Sequence, residues 1–238
     1  MGLQALLSVL LALVVSQVIA HGAIVAYTID GKEYPGYKGF QPAASPPTIQ
    51  RQWNNYEPSK DIADPRTRCH GGTSAPLSAP VSPGSTIVAK WDYWPHYQGP
   101  VMVWLYACNG PFDKCDGSSR GWFKIDQVGM LGPPLSGKNW GQAKIPSEKK
   151  WTVKVPKVAA GNYLVRHEII AIHTGNAPQF YAECAQLNVS GSGGGKPGME
   201  YLVSIPGYAN MSHPGIKIDI YTSKATKYEI PGPPVWHG

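Results

Sequence analysis

His21 could hold a metal in a way no internal histidine can. Residues Ala5 to Val15 are unbroken apolar sequence apart from Ser8. That run is too short to span a bilayer and suits the core of a secretory signal. Val18-Ile19-Ala20 offers a cut after Ala20, although the segment before the apolar run has no Lys or Arg and only its α-amino group. Cleavage there leaves 218 of the 238 residues and makes His21 the first. Its freed α-amine, with a pKa near ~8, is neutral at modest cost, so amine and imidazole can chelate one ion together. A third nitrogen from another histidine would complete a T-shaped set, and nitrogen donors in a tetragonal arrangement select Cu(II).

Six further histidines compete for the third position. His70 follows a cysteine in a loop, His213 precedes Pro214, and His237 sits at the tail. His96 lies in Trp94-Pro95-His96-Tyr97-Gln98-Gly99-Pro100, a turn leading into an apolar strand, where a rigid scaffold can aim a loop side chain. The segments 163–173 and 179–189 carry more information. Alternation puts His167, Ile169, Ala171 and His173 on one face of the first, and Gln179, Tyr181 and Glu183 on one face of the second. The short connection from Thr174 to Pro178 predicts a hairpin. His173 then lies close to Gln179, with Tyr181 one pleat away.

These residues need a scaffold. Gly and Pro together number 50 of 238, about a fifth, and charged residues only 15%. Breakers at that density leave little room for long helices, and so few charges exclude a disordered or coiled-coil chain. Strands are expected at 23–27, 86–91, 101–105, 121–125, 151–155, 163–173, 179–189 and 216–221. Long loops are expected at 31–80 and 129–147. About eight short strands without a strong helix predict one antiparallel β-sandwich over residues 21–238, with no appended binding module. The stretch 190–195 reads as a mobile internal loop. No other apolar run approaches ~18 residues, so no membrane association is expected. The net charge is +6. Its densest lysines, Lys144 to Lys157, alternate with Trp151, Val153 and Val155 as on a half-buried strand, so no nucleic-acid partner is expected.

Four cysteines suit a secreted, disulfide-bonded chain and allow three pairings. Cys108 and Cys115 flank a short loop and could close locally, which leaves Cys69 with Cys184. No CxxC pair supports a structural zinc site. Asn188-Val189-Ser190 and Asn210-Met211-Ser212 are glycosylation sequons.

Taken together, His21-Gly22, the 94–100 motif, Gly161-Asn162-Tyr163-Leu164-Val165-Arg166-His167-Glu168-Ile169-Ile170-Ala171-Ile172-His173, Pro178-Gln179-Phe180-Tyr181-Ala182-Glu183-Cys184-Ala185-Gln186 and Ile230-Pro231-Gly232-Pro233-Pro234 resemble the fungal lytic polysaccharide monooxygenases of auxiliary activity family nine. The resemblance covers essentially the whole mature chain. One departure is visible: many members place the second metal histidine one residue before Gly-Pro, whereas Tyr97 and Gln98 intervene here. The resemblance implies an immunoglobulin- or fibronectin-III-like β-sandwich, and a copper ion (Cu2+/Cu+) held by His21 and His96 with Tyr181 axial. It implies that His173 and Gln179 act on an oxygen species at the metal, and that Tyr208 and the more weakly indicated Tyr37 stack on substrate. The two cysteine pairs match bridges usual in that family. The implied reaction is oxidative cleavage of cellulose or a related β-glucan at C1 or C4, using O2 or H2O2 and an external electron donor. The enzyme is expected to be secreted and monomeric. A hydrolase would instead need paired carboxylates. Glu168 and Glu183 fall on different strand faces, and Asp126 with Glu168 is the remaining pair. A non-catalytic carbohydrate-binding module would keep the aromatic rings without the redox metal.

Overall fold

A computed structural model describes residues 21–39, 41–53, 55, 57–191 and 194–238. The expected signal segment, residues 1–20, lies outside the described residues, as do Ser192 and Gly193 of the expected mobile loop. In chain order the strands are β1 (Ile24–Ile29), β2 (Lys32–Pro35), β3 (Ala79–Val81), β4 (Thr86–Trp91), β5 (Val101–Ala107), β6 (Trp122–Val128), β7 (Lys150–Lys154), β8 (Gly161–Ala171) and β9 (Gln179–Val189). One short helix, α1 (Ile145–Glu148), precedes β7. They form a four-stranded sheet, β2-β1-β4-β7, and a five-stranded sheet, β3-β9-β8-β5-β6. This is the β-sandwich expected from the sequence.

The alternation sorts each strand between two cores. Val101, Val103 and Leu105 of β5, with Val165, Ile169 and Ala171 of β8, face the four-stranded sheet and meet Ile24, Tyr27, Ile87 and Trp151. Each such side chain contributes about 1.5–3 kcal/mol when fully buried. Met102, Trp104, Leu164, Ile170 and Ile172 point the other way, into a second core roofed by loops. The final forty residues supply much of that roof, pairing Trp122 with Val203 and Lys124 with Val235. The five-stranded sheet is therefore buried on both faces. On β7 the pattern is simpler: Trp151 and Val153 point inward while Lys150, Thr152 and Lys154 face water. The lysine-rich stretch is that solvated edge.

Two expectations are corrected. The presumed loop 31–80 contains β2 and β3, and β3 adds to β9 in parallel, the one parallel pair among the named strands. Pro80 has no N–H to donate, which confines β3 to an edge and hides it from pattern reading. The alternation Ile216-Lys217-Ile218-Asp219-Ile220 forms turns rather than a strand, with both Ile216 and Lys217 donating N–H to the His213 carbonyl. Ile216 and Ile220 are buried in the outer core, so the apolar positions answer the roof and not a neighbouring strand. The ends of the 190–195 stretch are tied down, Ser190 donating to the Val81 carbonyl and Gly195 to that of Lys157.

Disulfides join Cys69 to Cys184 and Cys108 to Cys115, as expected. The first anchors the long early loop to β9. Both sequon asparagines are exposed: Asn188 donates to Asn162, and Asn210 accepts from the backbone and hydroxyl of Ser212.

Candidate metal centre

The side chains of the expected site come from the start of β1, the β4–β5 loop, the β8–β9 hairpin and β9. His21 precedes β1. Gly22 permits its close approach to the loop after β4, since a Cβ at Gly22 would stand 1.6 Å from the Tyr93 carbonyl oxygen. The next anchor is Ile24, whose N–H donates to a Glu183 carboxylate oxygen on β9 at 3.2 Å. His96 sits in the loop from β4 to β5, which folds back on the end of β8: the Ile172 N–H donates to the Gln98 carbonyl and that of Ile170 to Pro100. Gly99, at φ +132°, allows this, because a Cβ there would meet the Ile170 carbonyl at 1.8 Å.

β8 and β9 bring the rest. Their register pairs His167 with Glu183, Ile169 with Tyr181 and Ala171 with Gln179. His173 follows the last β8 residues in the hairpin. The rings of His21 and His96 are 6.3 Å apart, and Tyr181 lies 5.9 Å from His21 and 6.3 Å from His96. Trp94, buried, stands edge-on behind both Tyr181 at 4.8 Å and His96 at 5.2 Å. His173 stacks flat on His96, with 3.9 Å between centroids. Gln179 accepts a hydrogen bond from the Tyr181 hydroxyl at 2.9 Å. His173 thus contacts His96, and Gln179 contacts Tyr181.

The electrostatics favour neutral donors. Burial, with His173 and His21 nearby, lowers the His96 imidazole to about 3. Burial and then His21 also lower His173. Burial raises the Tyr181 phenol, helped by the Glu57 and Glu183 carboxylates, so it stays protonated. Glu183, wholly enclosed, rises to about 8 against the hydrogen bond from Ile24, with Asp92 adding to the rise.

A metal fits here. Nε2 of His96 is buried and has no hydrogen-bond partner among the described residues, nor does Nδ1 of His173. A buried unpaired ring nitrogen is costly unless something binds it. Among the described residues no three His, Cys, Asp or Glu side chains gather as a metal site. The set here is two imidazoles, a phenol and the backbone nitrogen of His21, which becomes an amine only on cleavage.

Some expected residues lie elsewhere. Tyr208, expected as an exposed stacking ring, is only 9% exposed, and its hydroxyl donates to Glu168 at 2.6 Å beneath the Trp104 ring. The 206–210 segment places the aromatic in the outer core. Tyr37 is half-buried, edge-on to Trp53 at 6.1 Å, beside a proline-lined recess. His167 is buried between Tyr27 and Trp91. The carboxylates a hydrolase would need are dispersed: Glu168 binds Arg166, Trp104 and Tyr208 on the outer face, Glu183 holds Ile24 on the inner, and Asp126 accepts from Trp151.

Two residues at the site escape sequence reading. Tyr221, 63% exposed, donates its hydroxyl to the His173 carbonyl at 2.9 Å. The Glu57 carboxylate lies 3.5 Å from His21 Nδ1. Both sit on irregular loops whose meeting with the site depends on tertiary folding, and neither has a local signature.

Comparison with known proteins identifies the family. Residues 21–228 match the family model "Auxiliary Activity family 9 (formerly GH61)". The chain is 48% identical over 238 residues to AA9 family lytic polysaccharide monooxygenase D of Thermothelomyces thermophilus, covering 96% of this chain and 93% of that protein. It is 44% identical to AA9 family lytic polysaccharide monooxygenase B of Heterobasidion irregulare, with 96% of each covered. Among solved structures, a cellulose-active polysaccharide monooxygenase from M. thermophila superposes with a TM-score of 0.89 at 49% identity, covering 92% of this chain and all of that one.

Proposed function

The chain belongs to Auxiliary Activity family 9, the lytic polysaccharide monooxygenases, and from that premise we propose that it is a secreted, copper-dependent enzyme that oxidatively cleaves β-1,4-glucan chains, cellulose above all. The observation that carries the reading is the convergence of His21, His96 and Tyr181 around an imidazole nitrogen, His96 Nε2, that is buried and unpaired.

The His21 amine and imidazole would hold the ion with His96 Nε2, and the Tyr181 phenol would lie beside it. Bound there, copper supplies the one-electron chemistry that lets O2 or H2O2, with an external electron donor, oxidise C1 or C4 of a sugar unit. The protein keeps His96 neutral through burial, which leaves its lone pair for the ion. It keeps the Tyr181 phenol protonated and directs its proton to Gln179, which leaves a neutral, weak donor. Gln179 retains its amide N–H groups, and His173 its ring nitrogens, as hydrogen-bond partners for an oxygen co-substrate. Trp94 packs behind His96 and Tyr181 and fixes their rotamers.

Substrate placement falls to exposed aromatic faces, which stack on sugar rings at little entropic cost. Tyr221 takes the role first assigned to Tyr208: it is exposed and tied to His173. Tyr93, 41% exposed, borders His21 through its backbone contact with Gly22, and Tyr37 is a flanking ring. The enzyme works as a monomer on a polysaccharide surface, with glycans on Asn188 and Asn210. Among the described residues no helix is long and apolar enough to cross a membrane.

The test is mass spectrometry of soluble products from cellulose, with and without ascorbate, on the mature chain and on a form extended by one residue before His21. Aldonic acids or C4-oxidised ends, made only with reductant and lost on extension, are the expected result. Plain reducing sugars made without reductant, or full activity in the extended form, would overturn the proposal.

A further inference from the structure

Glu57 sets a carboxylate beside His21, and the copper reading above gives it no part in holding the ion. Its Oε1 lies 3.5 Å from His21 Nδ1, and among the described residues that is the one ion pair Glu57 makes. A carboxylate oxygen and an imidazole nitrogen each bind a zinc-like first-row ion at about 2.0–2.2 Å, so two donors sharing one ion stand roughly 3–3.5 Å apart. The observed spacing puts the carboxylate beside the ion's place, outside any three-residue His/Glu ligand cluster, of which the described residues form none.

The backbone on the C-terminal side of Glu57 is tied to β9. On one side the Glu57 N–H donates to Asn55 Oδ1 at 2.8 Å. On the other, buried Pro58 leads into Ser59, which exchanges backbone hydrogen bonds with Phe180 of β9. Glu57 is therefore two residues from a ladder pair on the strand that carries Gln179 and Tyr181. The same carboxylate faces the Tyr181 phenol and helps to raise it. The loop is also tied to β9 by the Cys69–Cys184 bridge.

We propose that Glu57 is a further metal-facing residue, whose carboxylate beside His21 favours the cupric over the cuprous ion and so sets the reduction potential of the site. The inference rests on the copper reading above. An anion at this range attracts the dication about twice as strongly as the monocation, whatever the local dielectric. The side chain is 68% exposed, so screening reduces the effect without changing its sign.

The experiment uses the mature copper-loaded chain and compares Glu57→Gln and Glu57→Ala with an exposed-acid control, Glu148→Gln on α1. The readouts are the midpoint potential and the Cu(II) paramagnetic resonance spectrum. Both Glu57 variants should lose at least tenfold in preference for Cu(II) over Cu(I), which raises the potential by ~59 mV or more for a one-electron couple. Their spectra should shift, and those of the control should not. If the wild type binds copper but the Glu57 variants match it in potential and spectrum, the proposal fails and the copper reading stands. If the mature wild type binds no copper, both fail.

Discussion

Replacing Gly22 with Ala should disable the site without unfolding the chain. A Cβ at Gly22 would lie 1.6 Å from the Tyr93 carbonyl oxygen and 2.7 Å from its carbonyl carbon, whereas real Cβ contacts essentially never fall below 3.0 Å. The obstacle is backbone, so no side-chain rotation relieves it. The start of β1 must retreat by more than an ångström, or the 92–96 loop must yield. Ile24 is held by Glu183 and by Gln50, whose amide donates to the Ile24 carbonyl at 2.9 Å, so the displacement falls on His21. A misplacement of about 1 Å typically costs about 100-fold where geometry is demanding, and we expect a loss of that order, about 2.7 kcal/mol, in Cu(II) affinity. Isothermal titration of the metal-free mature chain measures it. Gly31→Ala is the matched control: φ there is +83° but a Cβ meets nothing within 4 Å. It should lower thermal stability by about 1 kcal/mol or more and leave copper affinity alone. Wild-type affinity and an unchanged resonance spectrum in Gly22→Ala would refute the reasoning.

Three further outcomes follow from the buried polar groups and the bridges. Glu168→Gln leaves Arg166, itself fully buried, without its 2.6 Å carboxylate partner. It should cost about 3–5 kcal/mol, a fall in Tm of about 6–20 °C for a chain of this size, checked by calorimetry. The Cys69–Cys184 bridge closes a loop with sequence separation 115 and Cys108–Cys115 one of 7. Removing the first should cost about 5 kcal/mol and the second about 2.5 by loop entropy, so equal losses in urea titrations would contradict that ranking. Burial lowers His167 to about 3 in the folded chain, against about 6.5 when unfolded. The unfolded state then binds more protons between these values, so stability is fully present above pH 6.5 and is lost as pH falls toward 3, by up to about 4–5 kcal/mol. Urea midpoints of the metal-free chain should show that slope, and His167→Leu should flatten its share of it.

The central strands and the positions of His21 and Tyr181 were readable because they obey local rules. β4 and β9 match the sequence reading at both ends, and β8 is displaced by two residues. His21 was found from a cleavage site, and Tyr181 from period two on β9. The errors share a cause. Ile216–Ile220 were read from local pattern and Tyr208 from the family resemblance, yet a second core on the far side of the five-stranded sheet decides the placement of both. That core is built from loops, and its apolar residues have no period. Glu57 and Tyr221 were missed for the matching reason: one reaches the site through a bridge to Phe180, the other through a hydrogen bond to the His173 carbonyl. β3 was lost because a three-residue parallel strand containing proline carries almost no signal.

The double-sided burial of β8 has an evolutionary consequence. Successive residues serve opposite masters: His167, Ile169 and Ala171 face the inner core and lead to His173, while Arg166, Glu168 and Ile170 anchor the loop roof. A single-residue insertion or deletion would exchange the two sets, sending a guanidinium into the sandwich and a histidine under the roof. Length variation is barred from this strand, while the turns around Gly175 and Tyr221 stay free to lengthen. Diversification in such a chain should therefore gather at the loop rim, with the strand interior inherited intact.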